Sequence, residues 1–381
     1  MPSSKATSPR AITAQAACRA DLAGATLDLW PLYLFHPGAV TLNFALTIDT
    51  TCRITPHESS EIHFKSTDTG REESFANLDA LMSVPNDKKA YKHPIGAWLT
   101  RAFRPEVGFT LETHSESPAG AGISGSSALM IATTAALARL TGRKLDREEM
   151  RVLSQNVEAQ IINVPTGCQD YYPALYGGVS AIHLREEGIR REALPVDADE
   201  IERRFVLVYT GAPRQSGINN WEVFKAHIDG DKKVVRNFEQ ISQIAQAMHP
   251  ALAAQHWDEV ARLLREEWKL RKSNYKGIST PGIETLIRAA MKRGGVAAKV
   301  CGAGGGGCVI IMTREGATES VAEALRANGG QVLECKVQRE GVRVSTGAGQ
   351  RRDSNPLQRV SEGSSQRVSS SAGQSKRVGA R

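Results

Sequence analysis

The chain has 381 residues, of which 41% are hydrophobic and 23% charged, so it is long enough for two domains with separate cores. Its net charge of +7 belongs to the two ends, because residues 349–381 carry seven basic and two acidic residues and residues 1–16 carry two basic ones. The remaining body is neutral, which argues against a nucleic-acid-binding or acidic-membrane-binding surface there.

The first half of the body is expected to contain strands at 39–48, 61–66 and 177–184, with two helices between them. The first helix follows a serine-rich segment, which predicts serine caps at its start, and Gly142 lies just past its end. The second helix is predicted to begin with a capping box formed by Asp146 and Glu149. Its apolar residues then recur at helical spacing: Met150, Leu153, Val157 and Ile161.

The second half is expected to contain a strand at 203–212, mostly helix from 220 to 293, strands at 296–300 and 308–313, a helix at 316–327 and a strand at 331–338. Thr280 and Pro281 are typical of a helix N-cap and first helical position. These elements predict an α+β fold of two domains, 16–200 and 201–348, the second an α/β sandwich.

The two ends are expected to be disordered, at 1–15 and 349–381. The tail is rich in Ser, Gly and Arg and has few large apolar residues, so it buries too little surface to offset its ordering entropy. An "RVS" echo at 359–361 and 367–369 leaves open a kinase-target or nucleic-acid arm beside an unselected extension.

Cysteine spacing and hydropathy exclude several classes of protein. The six cysteines show no CxxC spacing and no accompanying histidine cluster, which argues against a zinc site and favours a reducing cytoplasm. The N-terminus lacks the apolar core of a secretory signal, and no apolar run approaches the ~20 residues that span a membrane. We therefore expect a cytoplasmic protein without a membrane partner.

The segment "PAGAGISGSSALM" (118–130) places a glycine-rich turn directly before a helix. Backbone N–H groups and the positive end of the helix dipole then point at one place, which suits a polyphosphate. No lysine follows the glycines as in a Walker A loop, and no acidic residue completes a Rossmann fingerprint. A tight strand–helix connection is the alternative.

Four segments, in order along the chain, resemble the motifs of the GHMP kinases: "CRADLAGATLDLWPL" (18–32), residues 118–130, "VEAQIINVPTGCQDYYPALYGG" (157–178) and "KVCGAGGGGCVI" (299–310). The resemblance is to the sugar-kinase branch, which includes heptose-phosphate kinases and fucokinases. It implies the two-domain GHMP kinase fold, with an N-terminal β-α-β domain and a ferredoxin-like C-terminal domain. The nucleotide-binding residues by this resemblance are Pro118, Gly120, Gly122, Ser124, Gly125, Ser126 and Ser127.

The resemblance also assigns chemical roles. It implies ATP as phosphoryl donor, with Mg²⁺ held by Ser127 and Glu158. Asp170 is implied to accept or orient the proton of the attacking hydroxyl, and Arg19 to keep this base ionised and steady the developing oxyanion. The residues alone favour a solvated helix residue for Glu158, and they leave a turn-forming residue for Asp170 and a surface ion pair for Arg19 as alternatives.

The substrate is implied by a smaller set of residues. Asp28 resembles a sugar-hydroxyl ligand, and the pair Gln169-Asp170 resembles that of enzymes that phosphorylate an anomeric hydroxyl, although Tyr171 replaces the Gln or His common after it. The loop glycines expected to close the site are Gly302, Gly304 and Gly305, and Arg214 and Ser216 match a substrate segment loosely. The implied partner is a small-molecule sugar or sugar phosphate; a mevalonate-type kinase and a catalytically silent nucleotide- and sugar-binding regulator remain alternatives.

Overall fold

Two β-sheets organise the chain between residues 10 and 347. In the computed structural model, residues 10–213 and 218–347 are described, and these residues form one compact unit. The predicted disordered tail lies outside the described residues, as do residues 1–9 and the motif residues Arg214 and Ser216.

Twelve strands are present in the described residues. They are β1 (Ile12–Ala23), β2 (Val40–His57), β3 (Ile62–Ser66), β4 (Arg71–Phe75), β5 (Gly108–Ser115), β6 (Val179–Arg185), β7 (Gly188–Ala193), β8 (Phe205–Tyr209), β9 (Gly295–Val300), β10 (Cys308–Thr313), β11 (Gln331–Leu333) and β12 (Arg343–Thr346).

The same residues contain eleven α-helices. They are α1 (Leu78–Ser83), α2 (Pro94–Phe103), α3 (Gly125–Thr141), α4 (Arg147–Ile162), α5 (Tyr171–Tyr176), α6 (Ala198–Arg204), α7 (Ile218–Ile228), α8 (Lys232–Ala253), α9 (Trp257–Asn274), α10 (Pro281–Met291) and α11 (Thr318–Ala327). Two short 3₁₀ turns, Leu32–Phe35 and Lys88–Ala90, complete the set. None of the described helices is long and apolar enough to cross a membrane.

The first sheet has the order β12-β1-β2-β5-β3-β4, and β6 joins it through β2 and carries β7. All its pairs are antiparallel except β3 with β5. Helix α3 lies against β1 and β2. Its residues 130–138 are all buried, because alanine and threonine side chains let the helix enter the core on every face.

The second sheet is antiparallel, with the order β11-β8-β10-β9, and α9, α10 and α11 pack against it. Strands β9 and β10, α10 and α11 confirm the predicted pattern. Two boundaries differ: helix α6 continues to Arg204, so β8 begins at Phe205 rather than at 203, and β11 has three residues instead of eight.

The first strand was not predicted, and it corrects the limits of the folded body. Strand β1 begins at Ile12, so residues 12–15 are ordered rather than part of a disordered N-terminus. Its inward residues include Ala14 and Ala16, whose small side chains give no strong hydrophobic signal although they are buried. Strand β12 pairs with β1, so the last residues assigned to the second domain belong to the first sheet.

The helix ends agree with the sequence except at one place. Asp146 and Glu149 form the predicted capping box, Thr280 caps α10, and Gly142 ends α3 in the left-handed conformation. Ser124 precedes α3 but makes no capping hydrogen bond through its side chain, which corrects the predicted serine cap.

Candidate active site

Arg19, in the middle of β1, contacts three segments that are far apart in the sequence. Its side chain is buried, and its Nε and Nη2 donate to Asp170 Oδ1 over 2.9 and 2.7 Å. Its Nη1 donates to the carbonyl oxygens of Gly122, at 3.0 Å, and Cys301, at 2.7 Å. One guanidinium therefore connects the phosphate-loop segment, Asp170 and the start of the second glycine loop.

Asp170 immediately precedes α5, and its side chain caps none of the N–H groups of that helix. Both hydrogen bonds from Arg19 reach Oδ1, and no donor from the described residues reaches Oδ2. The Asp170 side chain is 20% exposed. One carboxylate oxygen is thus held by a cation while the other can accept a hydrogen bond from a bound hydroxyl.

Glu158 lies on α4, and its buried carboxylate reaches the first turn of α3. Oε1 accepts from Ser126 Oγ over 2.6 Å, and Oε2 accepts from Ser127 Oγ over 2.9 Å and from Tyr171 Oη over 2.5 Å. Burial raises the pKa of the Glu158 carboxyl, and the three hydroxyl donors oppose that rise because they favour the charged form. These side chains offer only oxygen atoms, which is the donor set of a hard cation.

The phosphate-loop segment turns tightly before α3. Ala121 N donates to Pro118 O over 3.0 Å, and Ser124 adopts a left-handed φ of 62°. Ser124 Oγ donates to Ile123 O over 2.6 Å, so it is directed to the backbone behind it. The first N–H groups of α3 therefore have no side-chain cap from Ser124, which leaves them available to an anion.

The second glycine loop meets the phosphate loop at its far end. Cys308 N donates to Ala121 O over 2.6 Å. Gly307 has a φ of 77°, and a Cβ there would lie 2.6 Å from Ala121 O and 3.1 Å from Gly120 O. Only glycine permits this approach, so the two glycine-rich segments are in direct contact.

The earlier glycines of this loop contact the C-terminal region instead. Gly305 N donates to Ile278 O over 2.9 Å, and Gly304 lies against the backbone of Ile278. Gly302 O accepts from Arg271 Nη2 over 2.9 Å, and Arg271 Nη1 donates to Ala25 O over 3.1 Å. Arg271 thereby connects the second glycine loop to the turn that follows β1.

Asp28 is buried beside the residue that precedes Asp170. Its Oδ2 accepts from Gln169 N over 3.0 Å, and Asn43 Nδ2 donates to Gln169 Oε1 over 3.3 Å. Burial, reinforced by the nearby Asp170 charge, raises the pKa of Asp28 to about 7. Asp28 and Gln169, both predicted to bind the substrate, therefore lie in one hydrogen-bonded group.

A fully buried charge cluster lies below the site. Lys299 Nζ contacts Asp21 Oδ2 and Glu267 Oε2, both at 2.6 Å, and all three side chains are 0% exposed. Burial raises the pKa of the Glu267 carboxyl, and the positive charge of nearby Arg271 opposes that rise. Asp21 shares β1 with Arg19, and Lys299 precedes Cys301 by two residues, so the cluster joins the two strands that carry the site.

Comparison with known proteins decides the family. The model of the GHMP kinases N terminal domain matches residues 89–178, and that of the GHMP kinases C terminal domain matches 248–331. A mevalonate kinase from Pyrococcus horikoshii is 30% identical over 249 residues, which are 62% of this chain and 69% of that protein. The chain belongs to the GHMP kinase family.

Other members of the family extend the match over the whole fold. The D-glycero-alpha-D-manno-heptose 7-phosphate kinase of Campylobacter jejuni is 26% identical over 340 residues, 88% of this chain and 98% of that one. The crystal structure of a D-glycero-D-manno-heptose 1-phosphate kinase from Bacteroides thetaiotaomicron superimposes with a TM-score of 0.71 at 21% identity, covering 89% of this chain and 100% of that one. The two-domain GHMP kinase fold predicted from the motifs is confirmed.

Several residues that build this GHMP kinase site were not predicted from the sequence. Glu267 and Arg271 continue the buried stripe of α9 that begins at Val260 and Leu264, with spacings of three and four residues. Charged residues on such a stripe are a signal, because they are rarely buried without partners. Tyr171 was noted only as a departure from the family pattern, yet its hydroxyl binds Glu158.

Proposed function

We propose that this GHMP kinase transfers the γ-phosphate of ATP to a sugar or sugar phosphate, at the anomeric hydroxyl. The observation that carries the proposal is the position of Arg19, which holds Asp170 Oδ1 and the Gly122 carbonyl oxygen together. The guanidinium of Arg19 thus binds both the Asp170 carboxylate and the glycine-rich segment that precedes α3. Phosphoryl transfer needs this kind of positioning more than it needs covalent chemistry.

In the proposed reaction, Asp170 Oδ2 accepts a hydrogen bond from the acceptor hydroxyl and takes its proton as the hydroxyl oxygen bonds to the γ-phosphorus. The bond from that phosphorus to the bridging oxygen breaks at the same time, and ADP leaves. Arg19 holds the Asp170 carboxylate in position through Oδ1, which accepts from both its Nε and its Nη2. An anomeric hydroxyl is more acidic than the other sugar hydroxyls, so a carboxylate suffices as base or orienting group.

The residues present fit a polyphosphate and its magnesium ion. The uncapped first turn of α3 presents backbone N–H groups, and Ser126, Ser127 and Glu158 supply oxygen donors directly beside them. Ser127 and Glu158 would hold Mg²⁺. When bound, the ion neutralises charge that develops on the phosphate oxygens.

The sugar assignment rests on Asp28 and on the relatives. Asp28 and Gln169 are buried together beside Asp170, where a carboxylate can accept hydrogen bonds from sugar hydroxyls. The relative from Campylobacter jejuni that matches 88% of this chain is a heptose 7-phosphate kinase. Both observations support a sugar or sugar phosphate as the acceptor.

A coupled assay of ADP release on free sugars, sugar phosphates and mevalonate tests this proposal. We expect turnover on a sugar or sugar phosphate, with a product that loses its phosphate in mild acid, as a 1-phosphate does. An acid-stable product would contradict the assignment of the anomeric hydroxyl. Absence of turnover on every sugar and sugar phosphate would contradict the proposal that the acceptor is a sugar.

A mevalonate-type kinase is the second candidate, because a mevalonate kinase from Pyrococcus horikoshii is 30% identical to this chain over the residues that match. That identity covers 62% of this chain, less than the share matched by the heptose-phosphate kinase. Turnover on mevalonate alone would favour this candidate.

Replacing Glu158 with glutamine is expected to weaken the use of Mg·ATP while keeping the fold. Glutamine keeps the shape of the side chain and one of the two oxygens that accept from the serine hydroxyls, but it lacks the negative charge that binds a cation. The Mg²⁺ concentration that gives half-maximal rate should rise, and higher Mg²⁺ should restore part of the activity. Glu148→Gln is the matched control on the same helix, since Glu148 contacts Arg151 and Tyr172 instead. Equal Mg²⁺ dependence in the two variants would contradict the metal assignment.

Replacing Asp28 with asparagine should stabilise the protein at pH 8 and impair sugar binding. Because the folded pKa of Asp28 is raised from 3.8 to about 7, the folded state binds more protons than the unfolded one between these values, and stability falls as pH rises through that window. A shift of this size corresponds to roughly 4 kcal/mol above pH 7, an upper figure. The gain in melting temperature for Asp28→Asn should therefore be largest at pH 8 and smaller at pH 5, and KM for the sugar should rise. A gain independent of pH would show that Asp28 does not titrate in this range.

A further inference from the structure

Three side chains that the kinase site does not use converge at another place in the fold. His183 Nε2 lies 2.8 Å from Glu192 Oε2, and His249 Nε2 lies 3.0 Å from the same oxygen. All three ligand atoms lie within 4.8 Å of one another. The two imidazole rings meet edge to face, with centroids 5.3 Å apart.

The group is assembled from three elements rather than from one local turn. His183 is on β6 and Glu192 on β7; because Glu192 pairs with Ala181, two residues before His183, both side chains lie on one face of the hairpin. His249 comes from α8, close to its C-terminal end. The backbone of two strands and a helix therefore fixes the positions of the three ligand atoms.

His249 adds an independent observation. Its Nε2 is shielded from solvent, and within residues 10–213 and 218–347 it has no well-aligned hydrogen bond, although Glu192 Oε2 is 3.0 Å away. This ring nitrogen is therefore not satisfied by a hydrogen bond, although a carboxylate oxygen is close to it. A cation bound by both atoms would satisfy them.

We propose that His183, Glu192 and His249 bind a divalent transition-metal ion, with Zn²⁺ as the best match to the ligand types. Two imidazole nitrogens and one carboxylate oxygen suit Zn²⁺ rather than Mg²⁺, which prefers oxygen ligands. Zn–N and Zn–O bonds of about 2.0–2.2 Å place tetrahedral ligand atoms about 3.3 Å apart. The two imidazole nitrogens lie 2.8 and 3.0 Å from Glu192 Oε2, so side-chain shifts of about half an ångström would admit the ion. Water would occupy the fourth position.

The cysteine spacing predicts that the protein has no zinc site, and this proposal departs from that prediction. The group contains no cysteine, and its members are 9 and 57 residues apart in the chain. The buried thiols do not compete for the ion, since burial raises the pKa of Cys18, Cys52, Cys168 and Cys301 and disfavours the thiolate. The ion would join the β6–β7 hairpin to α8, so the first sheet would be tied to a helix of the second half of the chain.

Titration calorimetry of chelator-treated full-length protein with ZnCl₂ tests the site. We expect one strong Zn²⁺ per chain, a higher melting temperature with Zn²⁺, and the intense visible absorption of four-coordinate Co²⁺ when CoCl₂ is the probe. His183→Gln and His249→Gln should each weaken Zn²⁺ binding by more than about 100-fold, because loss of even an outer partner costs about 10–100-fold.

Two matched variants separate this site from others. His63→Gln removes an imidazole that pairs with Glu61 outside the group, and Cys335→Ser removes the one partly exposed thiol among the described residues. Both should bind Zn²⁺ like the unmodified protein. The proposal is overturned if the unmodified protein binds no Zn²⁺, or if His183→Gln and His249→Gln, shown to be folded by circular dichroism, bind it undiminished.

Discussion

Replacing Asp170 with asparagine should lower kcat by about 10²–10⁴-fold, the usual contribution of a positioned general base. The amide keeps the shape of the side chain, but it removes the negative charge that pairs with Arg19 and that, in the proposed reaction, accepts the proton of the attacking hydroxyl. The affinity for ATP should change little, because no assigned nucleotide contact involves Asp170. Steady-state kinetics with a sugar acceptor and direct titration with an ATP analogue measure the two quantities separately.

The control must separate lost chemistry from lost structure. Asp170 makes no side-chain cap on α5, so the exchange costs no capping energy, whereas buried Arg19 loses its ionic partner and some stability with it. Asp197→Asn exchanges the same atoms at the cap of α6, and asparagine caps a helix about as well. A folded Asp170→Asn enzyme with a kcat near that of Asp197→Asn would remove Asp170 from the mechanism.

The largest effect on stability is expected from Lys299→Met. Lys299 is the cation between Asp21 and Glu267, and none of the three side chains is exposed. Its removal leaves two buried carboxylates without their central partner, a change that typically destabilises a protein by about 3–5 kcal/mol. Denaturant unfolding should measure this loss, and kcat should also fall because β9 carries Lys299 and leads directly into Cys301.

Removing the carboxylate charges together with Lys299 should recover part of the loss. The triple variant Asp21→Asn, Glu267→Gln, Lys299→Met lacks the two carboxylates that lose their partner, and buried Arg271 keeps its hydrogen bonds to the carbonyl oxygens of Ala25 and Gly302. It should therefore be more stable than Lys299→Met alone. Lys65→Met removes half of an exposed ion pair with Glu72 and should change stability by less than about 1 kcal/mol. If Lys299→Met is no more damaging than Lys65→Met, the cluster does not hold the two strands.

The motif-bearing parts of the fold were predictable because their signals are local. The capping box at Asp146, the Thr280-Pro281 helix start and the glycine turn between β9 and β10 depend on neighbours within a few residues. Strand β1 was missed because alanines fill its inward positions, and small side chains give a weak periodic signal although the strand is central to the sheet.

The site residues also divide into those that sequence motifs predict and those that only the folded structure brings together. Arg19, Asp170 and Glu158 were assigned through a resemblance, and the structure brings each into contact with at least one other motif. The pairing of Lys299 with Asp21 joins residues 278 positions apart, and no sequence spacing predicts such a contact. Burial of Asp28, which raises its pKa, likewise depends on chain segments that only the folded structure places around it.

The pairing of β12 with β1 also sets an order of events during synthesis. Ile12 pairs with Thr346, so the outer edge of β1 at residues 12–15 acquires its neighbour only after more than three hundred further residues have been made. At about 5–20 residues per second this takes roughly 20–70 s, during which that edge presents unpaired backbone groups to other chains. Ribosome-bound intermediates of this kinase should therefore be most prone to association through β1, and that risk should end when the last strand closes the sheet.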